Sequence, residues 1–154
     1  MGRVEIVAWK PEFGGAFRDL NLEWIEEHFT VEEEDRRLLD DPQGAIVDVG
    51  GEVVFALLDG RVVGTCALLP ADAGELELVK MAVSPDVRGR GVGERVMRGA
   101  IEAARRRGAP SLVLETNRVL TPAIRLYEKV GFREVVPTHD SEYARCDLTM
   151  RLVL

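Results

Sequence analysis

Between Phe13 and Phe29 the apolar side chains Phe13, Phe17, Leu20, Trp24, Ile25 and Phe29 return at three- and four-residue steps, the spacing of one helical face. A strand-like alternation, Val4–Ala8, precedes them. Thr30-Val31-Glu32-Glu33 has the form of a capping box, in which Thr30 accepts from the Glu33 amide and Glu33 reaches back. A second helix is therefore predicted from there to about Leu39, closed by Asp40-Asp41-Pro42. β-rich runs follow at Ala45–Val49, Glu52–Leu58 and Val62–Leu69, broken by Gly50-Gly51 and by Asp59-Gly60, a strong hairpin signal. Glu75–Val83 is a further strand, bounded by Ser84-Pro85. After a glycine-rich turn, Val92, Val96, Met97, Ala100, Ile101 and Ala104 define a helical face up to Arg107, and Gly108 stops the helix. Ser111–Thr116 reads as a buried strand and Pro122–Val130 as a short helix opened by proline. Phe132–Val136 and Tyr143–Leu152 close the chain as strands. There is no internal repeat, linker or low-complexity segment. The order predicts one mixed α/β domain over residues 1–154, its sheet antiparallel early and parallel where Glu75–Val83 and Ser111–Thr116 flank a helix.

Composition narrows the function classes. With 46% apolar and 31% charged residues, the chain can bury a core and keep a solvated surface. No apolar run approaches the roughly 18 residues of a membrane span, so no membrane partner is expected. Met1–Lys10 lacks a long apolar stretch and a small-residue cleavage site, so no signal peptide is expected either. The net charge of −7 argues against a nucleic-acid partner, which would select a basic face. Arg105-Arg106-Arg107 has a structural explanation at the negative end of a helix dipole. An acidic surface favours a cationic substrate, and solubility explains it equally well. Cys66 and Cys146 lie far apart without metal-like spacing. They read as buried strand thiols in a reducing cytoplasm, with no metal.

The candidate chemistry sits in Arg88-Gly89-Arg90-Gly91-Val92-Gly93, straight after a strand and at the start of an amphipathic helix. Glycine serves where backbone must approach a ligand or take positive φ, and a helix N-terminus offers unpaired amides to an anion. Arg88 and Arg90 add cationic donors. The physical reading is a pyrophosphate seat. The spacing is neither the phosphate loop of nucleoside triphosphatases nor the dinucleotide fingerprint, and the preceding strands are hairpin-linked.

Two longer stretches carry a resemblance. Leu78-Val79-Lys80-Met81-Ala82-Val83-Ser84-Pro85-Asp86-Val87 followed by that turn closely resembles motif A of the GNAT superfamily of N-acetyltransferases, with its Arg/Gln-x-x-Gly-x-Gly/Ala core. Pro122-Ala123-Ile124-Arg125-Leu126-Tyr127-Glu128-Lys129-Val130-Gly131-Phe132 resembles motif B. The resemblance implies a central mixed, mostly antiparallel sheet with a V-shaped splay between two parallel strands, flanked by about four helices. It implies acetyl-CoA as co-substrate. The pantetheine arm would lie on Met81, Ala82 and Val83, the pyrophosphate on Arg88, Gly89, Arg90, Gly91, Val92 and Gly93, and Asn117 would touch the arm.

The implied reaction is direct acetyl transfer to a primary amine of a small molecule, amino acid or peptide. Glu77 is the candidate base, with Glu75 on the same face in reserve, and Tyr127 beside the sulfur is the candidate acid. No covalent intermediate is required, so neither cysteine needs a nucleophilic role. Acceptor contacts are expected from the first two helices and the late hairpin: Asn21, Trp24, Glu27 and His28, with Glu77, Tyr143 and Arg145. A non-catalytic acyl-CoA-binding module on the same scaffold is the alternative, and the presence of both Glu77 and Tyr127 favours the enzyme. Members of the superfamily are often dimers, so a homodimer is a further expectation.

Overall fold

Asp59 and Gly60 both take positive φ, 50° and 86°, and make the tight turn that the sequence signals between β2 (Glu52–Leu58) and β3 (Arg61–Pro70). In the computed structural model, which describes residues 2–154, this hairpin forms the second and third strands of a seven-stranded sheet. Met1, the first residue of the segment read for a leader, lies outside the described residues. β1 (Val4–Ala8) pairs antiparallel with β2, and β4 (Leu76–Val83) with β3. β5 (Ser111–Thr116) runs parallel to β4, and β7 (Leu148–Val153) and β6 (Arg133–Val135) complete the order β1-β2-β3-β4-β5-β7-β6. The helices are α1 (Gly14–His28), α2 (Glu33–Asp40), α3 (Val92–Arg106) and α4 (Thr121–Val130).

Each face of the sheet has its own core. α3 lays Val96, Met97, Ala100, Ile101 and Ala104 against Val54, Leu76, Leu78, Leu112 and Leu114 on one face. On the other, Phe17 and Ile25 of α1 and Leu38 and Leu39 of α2 pack on Val53, Phe55 and Ala67. Strand alternation thus feeds both layers, as a sheet covered on both sides requires.

Four expectations are corrected. Ala45–Val49 is no strand: residues 43–47 form a single wide helical turn that buries Ile46 completely. The reason is topological, since β2 is already paired with β1 on one side and β3 on the other, leaving no edge. The cap of α2 falls two residues later than Thr30, with the Asp35 carboxylate accepting from the Glu32 amide at 2.8 Å. The last strand begins at Leu148 rather than Tyr143, because its first partner, Thr116, is the end of β5. Cys146 therefore lies half-buried in a turn, whereas Cys66 is buried in β3 as expected, and both are free thiols.

β4 is not a simple alternating strand either. Its pairing with β3 slips between Thr65 and Ala67, and Lys80 sits in the left-handed region at φ 55°. The extra residue makes a bulge that inverts the phase. Leu76 and Leu78 pack on the α3 core before it, and Met81 and Val83 do so after it. Lys80 is turned toward α2, where its ammonium meets Asp35 Oδ1 at 2.6 Å, the two side chains being 4% and 0% exposed. Arg145 forks onto the same carboxylate at 2.7 and 2.6 Å.

Burial opposes charge on Asp35, but the hydrogen bonds from Arg145 and Lys80 outweigh it and bring the carboxyl from 3.8 down to about 2. A folded-state value below the unfolded one contributes stability above about pH 4 that disappears as the pH falls toward 2, an effect of roughly 2 kcal/mol. Asp35→Asn should cost about 3 kcal/mol or more in urea unfolding at pH 7, because Lys80 and Arg145 stay buried without their anion. The difference from wild type should shrink between pH 4 and pH 2; a pH-independent difference would remove the ion pair as its source.

Candidate active site

β4 and β5 pair only at Leu76–Leu112 and Glu77–Val113 and then diverge. β5 is paired along its whole length with β7, so it cannot follow β4 past the bulge. From Leu78 to Val83 the β5-facing edge of β4 consequently has no strand partner, although it lies inside the sheet. That edge bounds a cleft whose far wall is Leu114, Thr116 and Tyr127 and whose roof is Asn21, Trp24 and Ile25 of α1. An interior edge of free backbone groups is a ready partner for an extended amide-bearing chain.

The glycine turn lies at the end of this edge. Gly89 and Gly91 have φ 78° and 81°, a region in which other residues are strained, and Gly91 is the N-cap of α3. No side chain caps that helix, and its first ladder bond is donated by Arg95 to Gly91 O at 3.1 Å. A β-carbon built on Gly89 or Gly91 meets nothing within 4 Å, so the turn faces open space. Gly93 is closer-set, its β-carbon position 3.4 Å from Met81. The free amides and positive helix end suit a pyrophosphate. Arg90 and Val92 occupy the turn as expected, with Val92 buried. The Arg88 guanidinium differs from expectation: it is held by Glu27 of α1 at 2.8 and 3.1 Å and donates to Val83 O at 3.3 Å.

Glu77 stands where the strands part. Burial first, then the nearby charges of Glu115 and Glu142, push its carboxyl from 4.5 up to about 7. Glu115 is two residues beyond Val113, the partner of Glu77, and so shares its face. Glu75 is different: Arg151 forks onto it at 2.7 and 3.3 Å and Ser111 donates to it, which holds it below the ordinary range. It is a structural anion, and the reserve role does not fit it. Across the cleft the Tyr127 phenol is raised by burial to about 12, its ring edge-on to Phe132 at 6.0 Å. At neutral pH the phenol therefore keeps its proton and can donate it.

The remaining predicted residues divide. Asn21, Trp24, Tyr143 and Arg145 all line the cleft. His28 does not: it is exposed on α1, stacked on Trp24 at 5.1 Å beside Glu27. Four residues on, at a net rotation of about 40°, His28 shares the stripe of Trp24, but it is the last residue of α1 and does not line the cleft. Glu27 is occupied by Arg88. Asn117 lines the cleft, yet its Nδ2 donates to Arg145 O at 2.6 Å and its Oδ1 accepts from Val119 at 2.9 Å, so both ends hold the loop. Met81, Ala82 and Val83 form the end of the unpaired edge.

Sequence reading missed Lys80, Asp35, Glu115 and Glu142. Lys80 was detectable as a lone charge within the apolar run Leu78–Val83, since a charge so placed needs a buried partner. Asp35 and Glu142 carried no local signal. Lys80 also donates to Tyr143 Oη at 3.0 Å, and Arg145 stacks on the Tyr143 ring at 4.6 Å.

Residues 15–132 match the acetyltransferase (GNAT) family. The uncharacterized N-acetyltransferase YvbK of Bacillus subtilis is 32% identical over 109 residues, 69% of this chain and 70% of that one. The chain spans only 30% to 48% of the length of several other curated relatives. A GNAT-family acetyltransferase structure from Staphylococcus aureus superposes with TM-score 0.87 at 18% identity, over 98% of this chain and 99% of that one. A Salmonella typhimurium protein solved with its cofactor acetyl-CoA gives 0.77 at 21%, over 97% and 93%. At these identities the structures establish a common fold.

Because the folded value of Glu77 lies above its ordinary 4.5, ionising it costs stability, nothing below about pH 4.5 and the full amount above pH 7. Glu77→Gln should match wild type near pH 4.5 and exceed it at pH 8 by up to about 3 kcal/mol in thermal unfolding. Equal stability at pH 8 would put the carboxylate in water.

Proposed function

The chain belongs to the acetyltransferase (GNAT) family, and we propose that it transfers the acetyl group of acetyl-CoA to a primary amine of a small molecule, amino acid or peptide. One observation carries this reading. The unpaired, β5-facing edge of β4 leads from Glu77 to the glycine turn, with Tyr127 on the opposite wall. The open edge is suited to the two amides of a pantetheine arm, and the uncapped start of α3 to the pyrophosphate. Arg90 is free to add charge there, and Arg88 would do so on leaving Glu27.

Glu77 takes a proton from the acceptor ammonium, and a carboxylate titrating near 7 is far better matched to that task than one near 4.5. The amine lone pair then bonds to the thioester carbon. The carbon–sulfur bond breaks with its electron pair on sulfur, and Tyr127 donates a proton to that sulfur. The nitrogen of the new amide gives up its extra proton, which restores the phenol. The balance is an ammonium and a thioester in, and an amide, a thiol and one proton out. Cys146 lines the same cleft, but burial pushes its thiol up to about 11, so it is a poor nucleophile and the direct route stands. The pairing of a raised carboxyl with a protonated phenol favours the enzyme over a passive acyl-CoA sensor.

Release of free thiol from acetyl-CoA in the presence of a panel of primary amines tests this directly. Tyr127→Phe should lower kcat on the order of tenfold or more with acetyl-CoA affinity nearly intact, and an unchanged kcat removes it as the acid. In calorimetric titration, Gly91→Val should weaken acetyl-CoA binding about tenfold or more, since it combines backbone strain with a side chain over the amides. Wild-type affinity there would sink the pyrophosphate seat.

A further inference from the structure

Arg88 stands in the turn that leads into α3, on one face of the sheet, yet its guanidinium reaches α1 on the other. Nη1 donates to both carboxylate oxygens of Glu27, at 2.8 and 3.1 Å, and Nε donates to Val83 O at 3.3 Å. Two of its three nitrogens are therefore engaged. The partners are 61 residues apart, so the pairing is a product of the fold and not of local geometry. His28 Nε2 lies 3.6 Å from Glu27, too far for a hydrogen bond. Arg88 is thus what satisfies the carboxylate, and its hydrogen bond holds Glu27 below the usual range.

The same guanidinium is one of the two that the pyrophosphate seat calls on. Arg90 is free, and Arg88 is committed. A carboxylate on Nη1 cancels the charge that Arg88 would bring to a phosphate. A phosphate drawn to that nitrogen would meet the carboxylate across it, and like charges so placed repel. The two anions therefore exclude each other. Both side chains are partly open to solvent, 34% for Arg88 and 46% for Glu27, so the pair is modest in strength and can open.

Resting on the acetyltransferase reading, we propose that Glu27 is a positioning residue that competes with the cofactor pyrophosphate for Arg88. Acetyl-CoA gains Arg88 only as Glu27 releases it, so its apparent affinity is scaled by the fraction of molecules in which the pair is open. A neutral acyl carrier gains nothing from Arg88 and is indifferent to Glu27. Glu27, expected from the sequence among the acceptor contacts, thereby belongs to the cofactor side and acts on its phosphate end.

Calorimetric titration of acetyl-CoA into Glu27→Gln should give a Kd lower than wild type by about two- to fivefold, the range of an exposed ion pair. In thiol-release assays the gain should lie in the KM for acetyl-CoA and not in kcat. The KM for S-acetylpantetheine, which carries no phosphate, should not move. In an Arg88→Gln background, itself weaker in acetyl-CoA binding, adding Glu27→Gln should leave Kd where it is. Weaker or unchanged acetyl-CoA binding by Glu27→Gln overturns the proposal; weaker binding would mean that Glu27 orients Arg88 for the phosphate. A gain that persists without Arg88, or that S-acetylpantetheine shares, also overturns it, since net charge or packing would then be the cause. All these results leave the acetyltransferase reading standing, whereas wild-type protein that binds no acetyl-CoA overturns both.

Discussion

The contact between Lys80 and Asp35 is the constraint on which the site depends. A lysine in the left-handed region costs about 1–2 kcal/mol in backbone strain, and burying its ammonium adds a desolvation penalty. Asp35 offsets the second cost directly, with Arg145 completing a buried triad. The bulge held in this way shifts the phase of β4, so that Met81 and Val83 return to the α3 core while the strand swings from β5. A continuous ladder between β4 and β5 would leave no open edge and no cleft.

The same triad fixes the acceptor side. Arg145 and Tyr143 belong to the irregular segment before β7, which pairs with no strand and is anchored instead by side chains. Arg145 reaches Asp35 and Glu32, Tyr143 reaches Lys80, Ser141 reaches Glu115, and Asn117 holds the Arg145 carbonyl. Polar networks of this kind set geometry where a sheet cannot, and the cleft wall is as rigid as its hydrogen bonds.

Three carboxylates illustrate how environment divides one chemistry. Asp35, fully buried, ionises near 2 because two cations clasp it. Glu75 is kept low by Arg151 and Ser111. Glu77, two residues from Glu75 on the same face, has no hydrogen-bonded cation or donor, and burial with Glu115 and Glu142 raises it to about 7. Local sequence treats Glu75 and Glu77 as equivalents, and only their neighbours from β5 and β7 separate a structural anion from a candidate base.

Local periodicity and turn chemistry determined much of this protein. The helical stripes of α1 and α3, the Asp59-Gly60 hairpin and the glycine-rich start of α3 are written in spacings of a few residues, where backbone geometry is decided. Tyr127, Glu77 and Gly91 were visible for the same reason, as parts of contiguous motifs. Tertiary structure alone decided the rest. Ala45–Val49 has strand-forming residues, but the β2 that follows it is already paired on both sides, and Tyr143–Asp147 outruns the end of β5. The Lys80 bulge, the engagement of Arg88 by Glu27 and the gathering of Glu34, Glu115 and Glu142 around Glu77 join residues tens of positions apart. Such contacts arise from how layers pack and charges pair in space, and no local pattern encodes them.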